Sequence, residues 1–188
     1  MSLVKPDDAM EPMYEQLARE LSAKANDFDG TAISQWWVGI AGGPGSGKST
    51  LASAICEKLN LANENTAVVI PMDGYHYSRA ELRTMGAATE GPSYEELLAR
   101  RGSPWTFNSA ALCKKMSEGK RMGTAKFPVY SREKSDPVDD PGVELSSENR
   151  IVLCEGNYLL SFDDPDWAPL ASLFDEKWFI CCDDIRGQ

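Results

Sequence analysis

A glycine-rich segment near residue 45 carries the strongest chemical pattern in the chain. Residues 42–49 read GGPGSGKS and match G-x-x-x-x-G-K-[ST] at every fixed position. In this pattern the glycines let backbone N–H groups wrap a phosphate, and the N-terminus of a following helix adds partial positive charge. Lys48 is expected to reach the β- and γ-phosphates, and Ser49 is expected to ligate Mg²⁺. The predicted nucleotide-binding residues are Gly42, Gly43, Pro44, Gly45, Ser46, Gly47, Lys48, Ser49 and Thr50. The alternative is a flexible glycine loop between a strand and a helix.

Two carboxylates stand where buried strands are expected to end. Asp73 follows the apolar segment 68–72, and Glu155 ends the apolar segment 150–155. Open α/β sheets bind their ligands at the carboxyl ends of strands. Asp73 could therefore accept the proton of an attacking hydroxyl, and Glu155 could orient Mg²⁺ or its waters. Each residue also has a structural alternative, because Asp73 could form a polar turn and Glu155 could cap one.

Basic residues are concentrated in one segment of an acidic chain. The chain has 29 acidic and 19 basic residues, a net charge of −10, yet residues 100–126 contain seven basic residues and one acidic residue. This segregation favours a surface that faces an anion. A solvated helix face explains Lys114 and Lys115 equally well, and the basic pair at 100–101 would also complement a helix C-terminus. The net charge argues against nucleic acid as a partner and leaves small anionic ligands open.

Composition excludes several other classes of protein. The five cysteines form no CxxC pair, and His76 is the single histidine, so neither a disulfide framework nor a zinc site is suggested. His76 lies three residues after Asp73 and could touch a substrate, although an ordinary polar loop residue is the alternative. No apolar run approaches about 18 residues, and the N-terminal segment lacks the apolar core of a secretory signal. We therefore expect a cytosolic protein without membrane contact.

The hydrophobic pattern predicts a single α/β domain. Met10, Met13, Leu17 and Leu21 recur at three- and four-residue spacings, which predicts a leading helix over residues 7–25 with these residues on its apolar face. A second helix is expected after the phosphate loop. Strands are predicted at 34–41, 67–72, 150–155 and 177–181.

Between the second and third strands the pattern is weaker. Ser93 and Glu96 form a capping-box pattern, Asn108 can cap a helix that runs to Met116, and residues 119–149 are predicted to form loops with a hairpin. The predicted architecture has a mostly parallel sheet with helices on both faces.

Five motifs in a fixed order give the chain a family resemblance. From about Gly39 to Phe179 the chain contains GGPGSGKST, PMDGYHYSRAEL, ARRGSPWTFN, FPVYSREKSDPV and VLCEGNYLL. It resembles the P-loop kinases grouped with uridine kinase, phosphoribulokinase and pantothenate kinase. Within that group it is most similar to the branch of bacterial fructose-transport-system kinase-like proteins and a yeast P-loop ATPase.

This resemblance implies a three-layer α/β P-loop nucleoside triphosphate hydrolase fold that uses ATP and Mg²⁺. The implied reaction transfers the γ-phosphoryl group to a hydroxyl of a small polar or anionic metabolite, such as a nucleoside, a sugar or a pantothenate-like alcohol. Segment 74–149 is expected to be an acceptor-side insertion in a single domain. A P-loop ATPase or nucleotide-dependent switch without a metabolite acceptor is the alternative.

The resemblance also assigns roles to individual residues. Asp73 matches the aspartate near the acceptor hydroxyl, Glu155 matches the acidic residue that ends the third strand, and Lys48 with Ser49 match the nucleotide ligands. Asn108 stands where relatives carry aspartate, which retains a helix cap and removes a charge. The residues that match positions lining the acceptor side are His76, Arg101, Tyr130 and Arg132.

The resemblance stops before the lid. Relatives continue after the fourth strand into an arginine-bearing lid, a fifth strand and a final helix, whereas this sequence ends at Gln188 with Arg186 as the last basic residue. We therefore expect a C-terminally truncated fold whose last strand has an uncovered edge through which an oligomer could form. A non-catalytic nucleotide-binding module is a further alternative.

Overall fold

The computed structural model describes residues 10–26, 35–88 and 90–181 of the 188-residue chain. The helices in this part are α1 Glu11–Asn26, α2 Lys48–Ala62, α3 Arg79–Gly86, α4 Tyr94–Ala99, α5 Ser109–Met122 and α6 Ala168–Ala171. The strands are β1 Trp36–Gly42, β2 Ala67–Pro71, β3 Ala125–Ser131, β4 Asp136–Leu145, β5 Ile151–Glu155 and β6 Glu176–Ile180. None of the described helices combines the length and the apolar composition needed to span a membrane.

Four strands form a parallel sheet in the order β2-β5-β1-β6. The predicted α/β fold with a mostly parallel sheet is thereby confirmed. Glu155 at the end of β5 is level with Ile40 of β1 on one side and with Pro71 of β2 on the other. The register therefore brings the phosphate loop after β1, the Asp73 turn after β2 and the Glu155 carboxylate to one edge of the sheet.

Helices cover both faces of this sheet. On one face α1 and α2 bury Leu21 and Ile55 against Ile40 and Leu153. On the other face α5 buries Met116 in a cluster that contains Trp37, Phe127 and Trp167. Every side chain of β5 is buried, as expected for a parallel strand covered on both faces. This three-layer packing fixes the strand ends that carry the site.

The leading helix buries a different face from the one predicted. It begins at Glu11, and residues 7–9 lie outside the described part of the chain. The buried residues are Tyr14, Ala18, Leu21 and Ala25, whereas Met10 and Met13 are each 38% exposed. The two alanines leave room for close packing against α2, so a stripe that contains only one large aliphatic residue becomes the buried face.

Most predicted elements are present with shifted ends. Residue 34 lies outside the described part, and β1 begins at Trp36. Strand β2 ends at Pro71 because Met72–Tyr75 forms a 3-10 turn, and β6 occupies Glu176–Ile180 rather than 177–181. Helix α5 runs six residues past Met116 and stops at Gly123, whose φ of +72° ends the helix in the left-handed conformation.

The segment between β2 and β5 contains structure that the sequence reading did not specify. Strands β3 and β4 pair antiparallel over residues 125–145, which gives the predicted hairpin its bounds. Helix α3 was not predicted, although Ser78 and Glu81 form a reciprocal capping box that was visible as S-x-x-E. The predicted capping box of Ser93 and Glu96 is confirmed at α4.

The described sheet ends at β6. This strand pairs with β1 alone, and Phe179 on it is 70% exposed. Residues 182–188, on which the expectation about Arg186 and the lid falls, lie outside the described part of the chain.

Candidate active site

The phosphate loop connects β1 to α2 with a backbone that only glycine adopts readily at two positions. Gly45 and Gly47 have φ values of +75° and +89°. Gly47 is the N-cap of α2 and offers no side chain to the first N–H groups of the helix. A Cβ atom added at Gly43 or Gly47 would have no neighbour within 4 Å. The loop therefore leaves open space at Gly43 and Gly47 beside the N-terminus of α2, the arrangement that binds phosphate.

Lys48 lies across this loop and is almost completely buried. Its Nζ donates a hydrogen bond of 2.8 Å to the carbonyl oxygen of Gly43, and the residue is 7% exposed. Burial lowers the pKa of Lys48, while the negative charges of Glu155 and Asp73 oppose this shift. The ammonium group is therefore held at the loop by the Gly43 carbonyl, and the negative charges of two carboxylates favour its charged form.

The Glu155 carboxylate faces the start of α2. Ser49 Oγ donates a hydrogen bond of 3.1 Å to Glu155 Oε2. Burial raises the pKa of Glu155, and the Asp73 charge raises it further, while Ser49 and Lys48 oppose the shift. The Ser49 hydroxyl and the Glu155 carboxylate are adjacent oxygen atoms next to the phosphate loop, the donor type that Mg²⁺ prefers. Mg²⁺ is usually held by one or two protein oxygens with phosphates and waters, so these residues fit a nucleotide-bound Mg²⁺.

Asp73 lies on the 3-10 turn that follows β2 and its side chain is exposed. The absence of a side chain at Gly74 lets this turn pack closely against β3, because an added Cβ would overlap the carbonyl oxygen of Pro128. This close approach brings the β3–β4 hairpin against the turn. The exposed Asp73 carboxylate thus lies on a turn that packs against the hairpin.

His76 lies beside the Asp73 turn, and contacts on three sides fix the position of its ring. Its ring centroid lies 3.9 Å from that of Phe107 and 5.0 Å from that of Tyr130. His76 Nδ1 lies 2.9 Å from the carbonyl oxygen of Asp73, and because a carbonyl only accepts, this bond places the proton on Nδ1. Burial lowers the pKa of His76, so the neutral ring keeps Nε2 as an acceptor.

Arg101 donates hydrogen bonds to other residues of the chain. Its Nη2 donates to Asp136 Oδ1 and to the carbonyl oxygen of Tyr77, each at 2.7 Å, and its guanidinium lies 5.4 Å from the ring centroid of Tyr130. The side chain is 10% exposed. Arg101 therefore joins the end of α4 to the hairpin. Asp136 was missed by the sequence reading, since nothing local marks a residue 35 positions away as its partner.

The structure brings together some of the predicted site residues and separates one. Lys48, Ser49, Glu155 and Asp73 meet at the sheet edge, and Tyr130 contacts both His76 and Arg101. Arg132 follows β3, is exposed, and makes no described side-chain contact with these residues. A cavity of about 290 Å³ lies beside Gly74 and His76, at the N-termini of α3 and α5. Asn108 lines it and caps α5 through Ala111 N at 3.0 Å, as predicted.

Comparison with known proteins relates this chain to kinases. No protein-family model matches it. It is 30% identical to a solved protein of Silicibacter sp. TM1040 that is provisionally named a fructose transport system kinase; the match covers 87% of this chain and 73% of that chain, with a TM-score of 0.69.

Two further relatives come from fungi. A protein of Schizosaccharomyces pombe, provisionally named a uridine kinase, is 38% identical over 150 residues, which are 76% of this chain and 59% of that protein. The ATP-dependent kinase YFH7 of Eremothecium gossypii is 33% identical over 171 residues, covering 77% of this chain and 46% of that protein. The chain thus spans about half to three-fifths of the length of these two relatives.

Proposed function

Because the chain belongs to the P-loop kinases of the uridine kinase and fructose-transport-system kinase group, we propose that it transfers the γ-phosphoryl group of ATP to a hydroxyl of a small metabolite. The relatives' names support this proposal: one is named for uridine, one for fructose transport, and a third only as an ATP-dependent kinase. The acceptor is therefore sought among nucleosides, sugars and related alcohols.

A single observation carries this proposal. Ser49 of the phosphate loop is hydrogen-bonded to Glu155 of β5, while the exposed Asp73 acts electrostatically on both Lys48 and Glu155. A phosphate-binding loop alone serves many reactions. A second, exposed carboxylate, on a turn whose next residues Gly74 and His76 line a separate cavity, suits transfer to an acceptor molecule.

The proposed mechanism relies on positioning and on charge. Backbone N–H groups of the loop and the Lys48 ammonium would hold the transferred phosphates and stabilise the charge that spreads over their oxygens. Ser49 and Glu155 would hold Mg²⁺, which neutralises phosphate charge when bound. Asp73 would accept the proton of the attacking hydroxyl, and His76 would accept a hydrogen bond from the acceptor through Nε2.

The hairpin completes the proposed acceptor side. We propose that residues 74–149 form this side of a single P-loop kinase-like domain, with Tyr130 beside His76 and Arg101 holding the hairpin in place. Arg101 would then act on the acceptor through Tyr130, rather than as the direct ligand implied by the resemblance. Arg132 remains a proposed substrate residue that would have to approach from the hairpin turn.

The deciding experiment is incubation of the protein with ATP and Mg²⁺ over a panel of metabolites, followed by mass spectrometry for a product that has gained one phosphoryl group. We expect at least one nucleoside, sugar or sugar-like alcohol to be phosphorylated, and Asp73→Asn to remove that product. Release of inorganic phosphate with no phosphorylated metabolite in any incubation would instead support an ATPase.

A further inference from the structure

A second groove lies between α5 and the β3–β4 hairpin, and the proposed reaction does not use it. Its volume is about 470 Å³. We refer to it as the lysine groove; its polar lining residues are Tyr75, Lys114, Lys115, Glu118, Lys126 and Asp139.

One face of α5 supplies half of this lining. Residues 111, 114, 115 and 118 recur at three- and four-residue spacings, so they share a face of the helix, and all four line the groove. The core side of the same helix is marked by Leu112 and Met116, which are 1% and 0% exposed. Lys115 is partly buried, so this face is a groove wall rather than a freely solvated surface.

The groove lysines differ from their basic neighbours in their partners. Arg101 pairs with Asp136 at 2.7 Å, and Lys120 pairs with Asp175 at 2.8 Å. Within the described residues, no carboxylate oxygen lies within 4.0 Å of the ammonium group of Lys114 or Lys115. Lys114 and Lys115 are therefore positive charges without an ion-pair partner, in a groove whose lining also contains Lys126 and the carboxylates of Glu118 and Asp139.

Tyr75 provides an independent sign of a missing ligand. The residue is 8% exposed, and its hydroxyl is buried without a hydrogen-bond partner among the described residues. Burial raises the pKa of Tyr75, and the charges of Asp139 and Glu118 add to the shift, so the phenol stays neutral and can donate. A buried hydroxyl without a partner is costly, and Tyr75 lines the same groove as Lys114 and Lys115.

We propose that the lysine groove binds a phosphate or carboxylate group of a small metabolite through Lys114, Lys115 and the Tyr75 hydroxyl. The groove adjoins the cavity beside His76, because Tyr75, Ala111, Pro128 and Asp139 line both. The anionic group therefore belongs either to the far end of the acceptor or to a separate effector. In the first case the inference rests on the proposed function and narrows the acceptor to anionic metabolites.

The test is a calorimetric titration of inorganic phosphate into the protein saturated with Mg²⁺ and a non-hydrolysable ATP analogue. The analogue fills the phosphate loop, so phosphate heat reports on another site. We expect wild-type binding with a millimolar dissociation constant. Tyr75→Phe and the double variant Lys114→Ala/Lys115→Ala should each weaken it at least about tenfold, the scale of one lost charge-assisted contact.

The matched control is the double variant Arg121→Ala/Lys134→Ala, which removes two exposed charges from α5 and the hairpin turn outside the groove. It should change phosphate affinity less than about threefold at physiological ionic strength, where charges beyond about 8 Å are screened. Tyr75→Phe removes a hydroxyl without a partner, so it should unfold in urea at the wild-type concentration or higher.

The outcomes separate this inference from the proposed function. Failure to bind the ATP analogue counts against the kinase, whereas absence of phosphate binding in the wild type overturns the groove as an anion site. The groove assignment is also overturned if either groove variant binds phosphate as tightly as wild type, or if the control variant loses as much affinity. Phosphate that competes with the metabolite acceptor assigns the anion to the acceptor, and phosphate that does not compete assigns it to an effector.

Discussion

At the scale of single residues, the site holds opposite charges where little water can reach them. Lys48 and Glu155 are 7% and 8% exposed, and each is influenced by Asp73. Burial disfavours the charged form of both, which costs stability in the absence of nucleotide. Bound phosphate and metal charges are expected to offset this cost in stability. Three predictions concern the residues that carry these charges.

Lys48→Ala should weaken ATP binding by about ten- to a hundredfold, because it deletes a charge-assisted contact worth about 1.5–3 kcal/mol. Calorimetry measures the affinity, and a native circular dichroism spectrum shows that folding survives. Lys58→Ala, on the same helix but paired with Glu11, serves as the control and should bind ATP normally. Equal affinities in Lys48→Ala and the wild type would remove Lys48 from the nucleotide site.

Asp73→Asn should preserve nucleotide binding and lower phosphoryl transfer by about 10² or more. The amide keeps the shape of the carboxylate and loses its ability to accept the hydroxyl proton. Product formation is followed by mass spectrometry, with Asp163→Asn as an exposed control outside the site. Wild-type turnover in Asp73→Asn would make Asp73 a turn residue and direct the search for the base to Glu155.

Glu155→Gln should make the nucleotide-free protein more stable at neutral pH. The folded-state pKa of Glu155 is raised above its ordinary value of 4.5, so the folded protein favours the protonated carboxyl. The wild-type protein therefore loses stability as the pH rises from the unfolded-state pKa of Glu155 through its folded-state pKa. Glu155→Gln has no carboxylate to ionise and does not lose this stability. In urea unfolding from pH 4 to pH 8, the difference in the free energy of unfolding between Glu155→Gln and wild type should increase with pH and then level off.

The exposed Glu144→Gln is the control for this series, and it should show no such widening. Phosphoryl transfer should fall in Glu155→Gln although stability rises, as expected where a strained site serves function. A variant less stable than wild type across the whole range would show that the carboxylate stabilises the fold through Ser49.

At the scale of elements, the acceptor side depends on how closely the 3-10 turn after β2 approaches the hairpin. Gly74 permits this contact, since any Cβ would overlap the Pro128 carbonyl. The ion pair between Arg101 and Asp136 connects the other side of the same hairpin to the end of α4. The position of Tyr130 beside His76 is thus a consequence of backbone packing.

Gly74→Ala should lower the free energy of unfolding by about 1–3 kcal/mol, the usual cost of overpacking, because β3 must move away from the turn. Gly43→Ala is the contrasting variant: its Cβ meets no protein atom within 4 Å and would occupy the space left for phosphate. It should unfold like wild type and bind ATP more weakly. Urea denaturation and calorimetry on both variants distinguish the effects, and equal stability of Gly74→Ala and wild type would contradict the packing argument.

At the scale of the whole molecule, two hydrophobic clusters on opposite faces of the sheet hold the strand ends in register. The phosphate loop, the Asp73 turn and Glu155 follow three neighbouring strands, so a ligand that bridges them stabilises the folded chain as a unit. Binding to the folded state alone raises the midpoint of thermal unfolding.

A non-hydrolysable ATP analogue with Mg²⁺, at a hundred times its dissociation constant, should stabilise the protein by about 2.7 kcal/mol and raise its melting temperature by about 5–10 °C. Differential scanning calorimetry measures the shift. At the same analogue concentration, Lys48→Ala should show a clearly smaller increase. An unchanged melting temperature in the wild type, in the presence of the analogue, would argue against a nucleotide site in the folded chain.

Features that depend on residues close together in the chain could be predicted from the sequence. The phosphate loop, the Ser93–Glu96 capping box and the α/β class follow from glycine conformations, caps and hydrophobic period, whose causes act within a few turns of chain. The family could be predicted from the sequence for the same reason, because the motifs that identify it are short and contiguous.

Contacts between side chains far apart in the chain could be identified only from the folded structure. The buried face of α1 depends on the fit against α2, and Arg101 pairs with Asp136, 35 residues away, which links the end of α4 to the hairpin. The lysine groove likewise exists only because α5 packs beside β3 and leaves Tyr75 without a partner. Such contacts depend on the packing of whole elements, which no local pattern of residue types encodes.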